Sequence, residues 1–248
     1  FKQKTAYEIM PSLVGSEMCI RDRDGFVGFV RRLADDALLY TSLLRAGLDV
    51  VRGCIELADT GEAVTVVVGD VVEVVEGCVD PDFKIPMDSG VFKKIFKGET
   101  DVFALSVKAR AGETRPVEFE LYSEDECVLE ACRAFFTYLF VPGRIKVKSL
   151  TSELAGRAHG AHPIPLIYWD GFRSAWYLVR AGEVLNRESV THPWPETFII
   201  LRGRGRAVVG DEKFDLKPGM VIYIPPNLVH QVWAEENVEL IWMAWQVR

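Results

Sequence analysis

The sequence predicts two domains, an α+β domain followed by a small all-β barrel of antiparallel strands. Three observations lead to this fold class. The first part of the chain alternates between helical and strand periodicity, the stretch from 143 to 160 loses that periodicity, and the remainder is cut into short runs by closely spaced turns. A length of 248 residues is sufficient for two such domains.

Composition and charge limit the classes of partner. Hydrophobic residues make up 49% of the chain and charged residues 26%, which is typical of a globular protein. The formal net charge of −7 and the scattered lysines and arginines argue against a nucleic-acid or anionic-membrane partner. We find neither an apolar run long enough to span a membrane nor a secretory signal pattern. We therefore expect a cytoplasmic protein with no membrane span.

The N-terminal tail is treated apart from both domains. Residues 1–22, FKQKTAYEIMPSLVGSEMCIRD, show neither helical nor strand periodicity. The stretch resembles the translated product of sequencing-adapter DNA. We therefore interpret 1–23 as an artefactual or disordered tail and expect it to pack poorly on the rest of the protein.

The first domain, residues 24–142, is predicted to begin with a long amphipathic helix. From Phe26 to Val51 the apolar residues recur at helical spacing. Two β-branched runs at 63–68 and 70–75 then predict a hairpin that turns at Gly69.

The rest of this domain is predicted to combine strands and helices. Alternating apolar residues predict a strand at 81–88, after which Ser89 is placed to cap a short helix. The segments DVFALSVKA (101–109) and RPVEFELY (115–122) are interpreted as strands, and an apolar helix over 124–140 closes the domain.

This order of elements resembles the sterol carrier protein family over residues 25–140. The likeness is clearest in CIELADTGEAVTVVVGDVVEVVEGCVDPDFKIPMDSGVFKKIFKGE, whereas the small-residue strand that the family has next is replaced by DVFALSVKARAGETRPVEF. The resemblance implies a twisted sheet that encloses a tunnel for a lipid, and no catalytic residue. The alternative is that these apolar faces only pack on each other.

The five cysteines are odd in number and none belongs to a Cys-x-x-Cys pair. This pattern predicts reduced thiols and argues against a cysteine metal site.

The second domain, residues 161–248, follows a linker over 143–160 that is rich in Pro, Gly and small residues. Its turn sequences recur about every 8–12 residues, which is typical of an all-β barrel or sandwich. The turns are Asp170-Gly171, Ala181-Gly182, Gly210-Asp211, Lys217-Pro218-Gly219, Pro225-Pro226-Asn227 and Glu236-Asn237.

One run in this domain carries residues suited to metal chemistry. His192-Pro-Trp-Pro-Glu196 places an imidazole and a carboxylate four residues apart. Prolines on both sides of Trp194 favour extended backbone, on which residues at even offsets share a face. We therefore expect His192 and Glu196 to converge on one ion.

Two motifs in order resemble those of the cupin family over residues 165–248. THPWPETFIILRGRG resembles the second half of the first cupin motif, and GMVIYIPPNLVHQV resembles the second motif. The resemblance implies a jelly-roll barrel that commonly pairs as a homodimer. It also makes His192, Glu196 and His230 ligands of one divalent transition metal (Fe, Zn, Mn or Ni).

One departure from the family keeps an alternative open. Val190 stands where the family usually has a further histidine. The remaining two histidines and one carboxylate are a ligand type that non-haem iron(II) enzymes use, or a weak zinc or manganese site. The alternative is a barrel that holds no metal tightly. His159 and His162 in the linker region could supply a missing ligand, although linker histidines are usually solvated.

Two functions are therefore weighed. In the first, a metal-binding cupin acts on or senses a small organic molecule, as a dioxygenase- or isomerase-like enzyme if it is an enzyme, and is coupled to a lipid-binding domain. In the second, the protein is a non-catalytic lipid or small-molecule carrier whose barrel serves dimerisation or sensing without metal.

Overall fold

A computed structural model describes residues 25–110 and 112–247, so the predicted tail over 1–23 lies outside the described residues. The helices of the N-terminal part are α1 (Gly25–Asp36), α2 (Thr41–Arg45), α3 (Ser89–Phe96), α4 (Val102–Ser106) and α5 (Glu126–Ala134), with a π-helical turn at Phe135–Leu139. Its strands are β1 (Val51–Leu57), β2 (Ala63–Val68), β3 (Val72–Glu76), β4 (Phe83–Met87) and β5 (Glu120–Leu121).

These strands form one sheet in the order β3-β2-β1-β4-β5. The β1–β4 pair is parallel and the other pairs are antiparallel. The predicted hairpin over 63–75 is confirmed, because β2 and β3 pair directly on either side of Gly69. The strand predicted around Phe83 is also confirmed as β4, whose Phe83, Ile85 and Met87 are buried.

The N-terminal core lies between this sheet and its helices. The apolar side of α1 is buried through Phe26, Val30 and Leu33, as its periodicity predicted. Rings from sheet and helix meet inside, where Phe83 of β4 packs edge-on against Phe135 with centroids 5.0 Å apart.

Four of the predicted elements are wrong in whole or in part. The strand predicted at 115–122 is reduced to the two residues of β5 and one bridge between Met87 and Val117. The helix predicted over Phe26–Val51 is broken, because α1 ends at Asp36 and a 3₁₀ turn at Leu38–Tyr40 separates it from α2. Ala46 then ends α2 in a left-handed conformation (φ 48°), and Val51 already begins β1. The segment 101–109 is not a strand, because Asp101 caps α4 by accepting a hydrogen bond from the Ala104 amide at 2.8 Å. Ser89 does not cap α3; its hydroxyl instead donates to Asp59 Oδ2 at 2.6 Å.

The cysteines also depart from expectation. Cys54 and Cys78 are joined by a disulfide, so the prediction of reduced thiols is wrong for this pair, while Cys127 and Cys132 are free. Disulfides are typical of oxidising compartments, so this pair does not support the cytoplasmic expectation. Among the described residues, no helix is both long and apolar enough to cross a membrane.

The C-terminal part is built of strands. In chain order they are β6 (His162–Trp169), β7 (Phe172–Val179), β8 (Val184–Leu185), β9 (Glu196–Arg202), β10 (Gly205–Val209), β11 (Glu212–Leu216), β12 (Val221–Ile224), β13 (His230–Ala234) and β14 (Val238–Trp245). They form two sheets, ordered β12-β9-β14-β7-β6 and β11-β10-β13-β8. All of their pairings are antiparallel. The two sheets enclose an apolar core, as the predicted jelly-roll arrangement requires.

The two parts of the chain are in contact through β6 and the segment that precedes it. Tyr168 packs against the N-terminal core, with its ring centroid 5.1 Å from that of Phe103 on α4. Lys148 forms an ion pair with the buried carboxylate of Asp101 at 2.6 Å. Gly156 passes so close to α4 that a Cβ there would lie 2.1 Å from the Ala104 carbonyl oxygen. These contacts set the N-terminal part beside the mouth of the barrel.

Candidate functional site

A cavity of about 310 Å³ opens into the C-terminal barrel. Its lining combines aromatic, aliphatic and ionisable side chains: Lys108, His159, Tyr168, Arg173, Tyr177, Leu185, Asn186, Val190, Thr191, His192, Glu196, Phe198, His230 and Trp242. The structure therefore brings the three residues predicted as metal ligands to one cavity. Such a mixture of apolar wall and a few polar groups is typical of small-molecule sites.

Glu196 is the buried acid of this cavity. It begins β9, and its Oε1 accepts a hydrogen bond from the indole N–H of Trp242 on the neighbouring strand β14 at 2.8 Å. Its Oε2 is buried and has no hydrogen-bond partner within residues 25–110 and 112–247. Burial raises the pKa of the Glu196 carboxyl, and the attraction of His230 and the bond from Trp242 only partly oppose this rise.

His230 begins β13 and its side chain is buried beside Glu196. Its Nδ1 lies 3.0 Å from the Leu228 carbonyl oxygen, which can only accept, so Nδ1 carries the proton and Nε2 keeps a lone pair. Glu196 Oε2 lies 3.5 Å from the same Nδ1. The two residues thus lie side by side without a hydrogen bond between them.

His192 differs from the prediction in two respects. It precedes β9 and lies outside any strand, because the two prolines around Trp194 delay the strand to Glu196. Its Nδ1 accepts a hydrogen bond from the Trp194 amide at 3.1 Å, so the neutral ring carries its proton on Nε2. Burial, and then the charge of Arg173, lower the pKa of His192 and favour this neutral form.

Asn186 holds the loop that carries Val190. Its side-chain amide donates to the carbonyl oxygens of Val190 and His230, both at 2.8 Å, and its Oδ1 accepts from the Val190 amide at 3.0 Å. It adopts a positive φ of 56°, a conformation that asparagine tolerates better than most residues. Asn186 therefore fixes both the cavity rim and the backbone at His230.

The other two histidines are separated by the structure. His159 lines the cavity, and burial lowers the pKa of its imidazole. His162 instead contacts Glu183, with Nε2 and Oε1 3.0 Å apart, and does not line the cavity. His159 thus lies at the same cavity as Glu196, whereas His162 does not.

A metal ion at this cavity would need three ligand side chains whose free atoms converge on one point. Within residues 25–110 and 112–247, no group of three or more histidine, cysteine, aspartate or glutamate side chains is placed to hold one. His230 has the protonation that a ligand histidine needs, since Nδ1 donates to a carbonyl and Nε2 is free. His192 has the reverse arrangement, because the nitrogen that should donate accepts instead. As they stand, the three side chains do not fit one ion.

Comparison with known proteins gives a family match within the C-terminal part of the chain. Residues 175–245 match the cupin domain family (Cupin_2). This part of the chain is a cupin domain. The match runs from within β7 to the end of β14, so it includes strands of both sheets but not β6. The sterol-carrier likeness of the first domain stays a prediction.

Two further comparisons find similar proteins that match less than half of this chain. A 45-residue stretch is 44% identical to an uncharacterized protein of Methanocaldococcus jannaschii, covering 18% of this chain and 36% of that protein. The chain thus matches about a third of the length of this curated relative. Among solved structures, the cupin domain resembles a conserved barrel protein from Salinispora arenicola (21% identity, TM-score 0.37, 42% of this chain and 90% of that one). It also resembles a salicylate 1,2-dioxygenase from Pseudoaminobacter salicylatoxidans (20% identity, TM-score 0.32, 37% and 28%).

Several cavity residues carry no signal in the sequence motifs. Arg173 and Tyr168 lie on the β6–β7 hairpin, and Lys108 comes from the N-terminal part, more than sixty positions before the first motif. Asn186 could have been found, because an Asn at the end of a strand and before a short loop is a common turn residue. The others depend on packing between distant segments.

Proposed function

We propose that the cupin domain binds a small organic molecule in the barrel cavity, with Glu196 as its main polar contact. One observation carries the proposal, namely the buried Glu196 Oε2 without a hydrogen-bond partner. Buried polar atoms are nearly always paired, and an unpaired one costs about 1–3 kcal/mol, so it calls for a partner supplied from outside the chain. A ligand hydroxyl or amide in the cavity would be such a partner.

The surroundings of Glu196 support this role. Phe198 and Trp242 provide apolar surface on the same cavity, and His230 Nε2 has a lone pair that can accept a hydrogen bond. A carboxyl whose pKa is raised in a cavity is also the kind of group that general acid–base catalysis uses. The isomerase-like reaction expected from the sequence therefore stays a prediction.

Native mass spectrometry of the purified full-length chain tests the binding function. We expect a co-purified or added small molecule to bind at one per chain, and the Val190→Trp variant to lose it, because Val190 is a half-exposed residue of the cavity lining and a larger ring there would fill the space. The matched control is Val221→Trp, an exposed position on β12 outside the cavity. Equal occupancy in both variants would contradict the proposal.

A metal centre at His192, Glu196 and His230 is the second candidate. The same unpaired Oε2 favours it, because carboxylate oxygens bind metal ions and cupin domains often hold a transition metal. His192 would first have to give up the amide of Trp194 and turn its ring. Metal content after reconstitution with iron, zinc, manganese or nickel tests this. We expect His230→Ala to lose bound metal, and a wild type that stays metal-free with all four would exclude the candidate.

Two other expectations also stay predictions. A cavity of about 260 Å³ lies between α1 and α3, with Phe26, Phe29, Leu57 and Phe92 in its lining, and is the place in the N-terminal part where an apolar ligand would bind. Detection of a co-purified lipid by native mass spectrometry tests that expectation. Sedimentation equilibrium tests the homodimer expected from the barrel.

A further inference from the structure

The cavity contains a cation without an anionic partner. Arg173 lies on β7 and lines the cavity half-buried. Among the described residues, its guanidinium forms no ion pair with a carboxylate. The other cavity cation, Lys108, is paired with Glu118. A half-buried charge without a counter-charge is costly, so the unpaired Arg173 needs an explanation.

Aromatic rings hold the Arg173 guanidinium in place. Its Cζ lies 4.9 Å from the ring centroid of Trp194 and 5.8 Å from that of Tyr168. Cation–π contacts of this kind occupy no hydrogen-bond donor, and among the described residues the Arg173 guanidinium donates no hydrogen bond. Its N–H donors therefore stay available to a ligand.

The charge around Tyr168 is not balanced. Arg133 lies on the same ring, with its Cζ 5.7 Å from the centroid, and is paired with Glu130. Two guanidiniums thus approach one tyrosine, and Glu130 forms its ion pair with Arg133 only. Burial and then the repulsion from Arg133 lower the pKa of Arg173, and the attraction of Tyr168 and Glu130 only partly opposes this. An anion that entered the cavity would supply the missing charge.

We propose that Arg173 binds a carboxylate group of the barrel's ligand, so that the ligand class is a small organic acid. This inference rests on the proposed binding function and names its ligand. A planar guanidinium with a free edge matches a carboxylate through two parallel N–H···O bonds. The uncharged body of the acid would then lie against Phe198 and Trp242 and present a polar group to Glu196.

A panel of small carboxylic acids, each matched with its primary amide, tests the inference on the full-length chain. Phenylacetate with phenylacetamide and hexanoate with hexanamide represent the aromatic and aliphatic pairs. Saturation-transfer NMR detects binding and titration gives Kd. We expect the best acid to bind about tenfold or more tightly than its amide, since a charge-assisted bond contributes about 1.5–3 kcal/mol.

Substitutions test whether the preference for the acid depends on Arg173 and not on other surface charges. Arg173→Gln should reduce the affinity for the acid to that for the amide, and Arg173→Lys should restore part of the difference, because it keeps the charge and loses the planar edge. Arg202→Gln is the control, since the Arg202 side chain is highly exposed, lies outside the cavity and forms an ion pair with Glu239 at 3.8 Å. It should leave the preference unchanged. Thermal unfolding shows that each variant is folded.

The remaining outcomes distinguish the two proposals. If acid and amide bind the wild type equally and Val190→Trp abolishes both, the binding function stands and the carboxylate assignment is overturned. If the acid preference survives in Arg173→Gln, another group binds the anion and the assignment is likewise overturned. If no acid and no amide of the panel binds the wild-type barrel, both the assignment and the binding function fail.

Discussion

Replacing Glu196 with glutamine should stabilise the ligand-free and metal-free protein at alkaline pH. The glutamine keeps the oxygen that accepts from Trp242 and removes a buried charge whose second oxygen has no hydrogen-bond partner among the described residues. Because the pKa of Glu196 is raised in the folded state, the folded protein binds more protons than the unfolded chain above about pH 4.5. Wild-type stability therefore falls as the pH rises through the folded-state pKa. The glutamine variant lacks this loss.

The size of the effect follows from the unpaired oxygen. An unsatisfied buried group costs about 1–3 kcal/mol, and 1 kcal/mol shifts the Tm of a chain of this size by about 2–4 °C. We therefore expect Glu196→Gln to raise Tm by about 2–4 °C or more at pH 8. The gain should shrink as the pH falls towards 4.5, because the carboxyl of the folded wild type then becomes protonated and its buried charge is lost.

Differential scanning calorimetry from pH 4.5 to 8, on chelator-treated and dialysed protein, measures this difference. Glu212→Gln is the control, because Glu212 is exposed on β11 and its replacement should leave Tm nearly unchanged at every pH. A Glu196→Gln variant that is less stable than wild type at pH 8 would refute the reasoning. It would show that the Glu196 charge is compensated in the empty cavity.

Three further substitutions test the structural frame by chemical denaturation. Asn186→Ala removes three hydrogen bonds and a residue tolerant of positive φ, so we expect a loss of about 2–4 kcal/mol, and a loss below 1 kcal/mol would contradict the role of this loop. Gly203→Ala should lower the free energy of unfolding by about 2 kcal/mol more than Gly182→Ala. Both glycines have positive φ, but only at Gly203 would a Cβ collide, 2.0 Å from a carbonyl oxygen. Equal losses would exclude the collision. Asp101→Ala should lower the free energy of unfolding by about 2–4 kcal/mol, because it removes a buried ion pair and a helix cap. Asp125→Ala removes only an exposed helix cap and should lower it by about 1 kcal/mol. Similar losses in the two variants would count against the ion pair.

The elements that the sequence predicted well depend on local pattern. The β2–β3 hairpin follows from two β-branched runs that flank Gly69, and the barrel strands follow from closely spaced turns. The short helix α4 was missed because its five residues, VFALS, are too few to distinguish helical from strand periodicity. Asp101 directly before this apolar run was a helix-start signal that could have corrected the assignment.

The sequence predicted which residues line the site better than it predicted how their atoms are arranged. The motif residues His192, Glu196 and His230 line one cavity, yet the sequence gives no means to see which ring nitrogen of each histidine is engaged. The protonation of His192 is set by the amide of Trp194 two residues on. Arg173 was missed altogether, because its significance depends on rings from separate segments and on the lack of an ion pair with any carboxylate that the structure describes.

The indole N–H of Trp242 offers the most direct test of ligand binding in the barrel. It donates to Glu196 Oε1 inside the cavity, whereas the indole of Trp233 is half-exposed outside it. Two-dimensional ¹H–¹⁵N NMR of the full-length chain, titrated with the best binder of the acid and amide panel, follows both signals. We predict a saturable shift of the Trp242 indole signal with Trp233 unchanged. Saturable binding that leaves Trp242 unmoved would contradict the claim that the barrel cavity is the binding site.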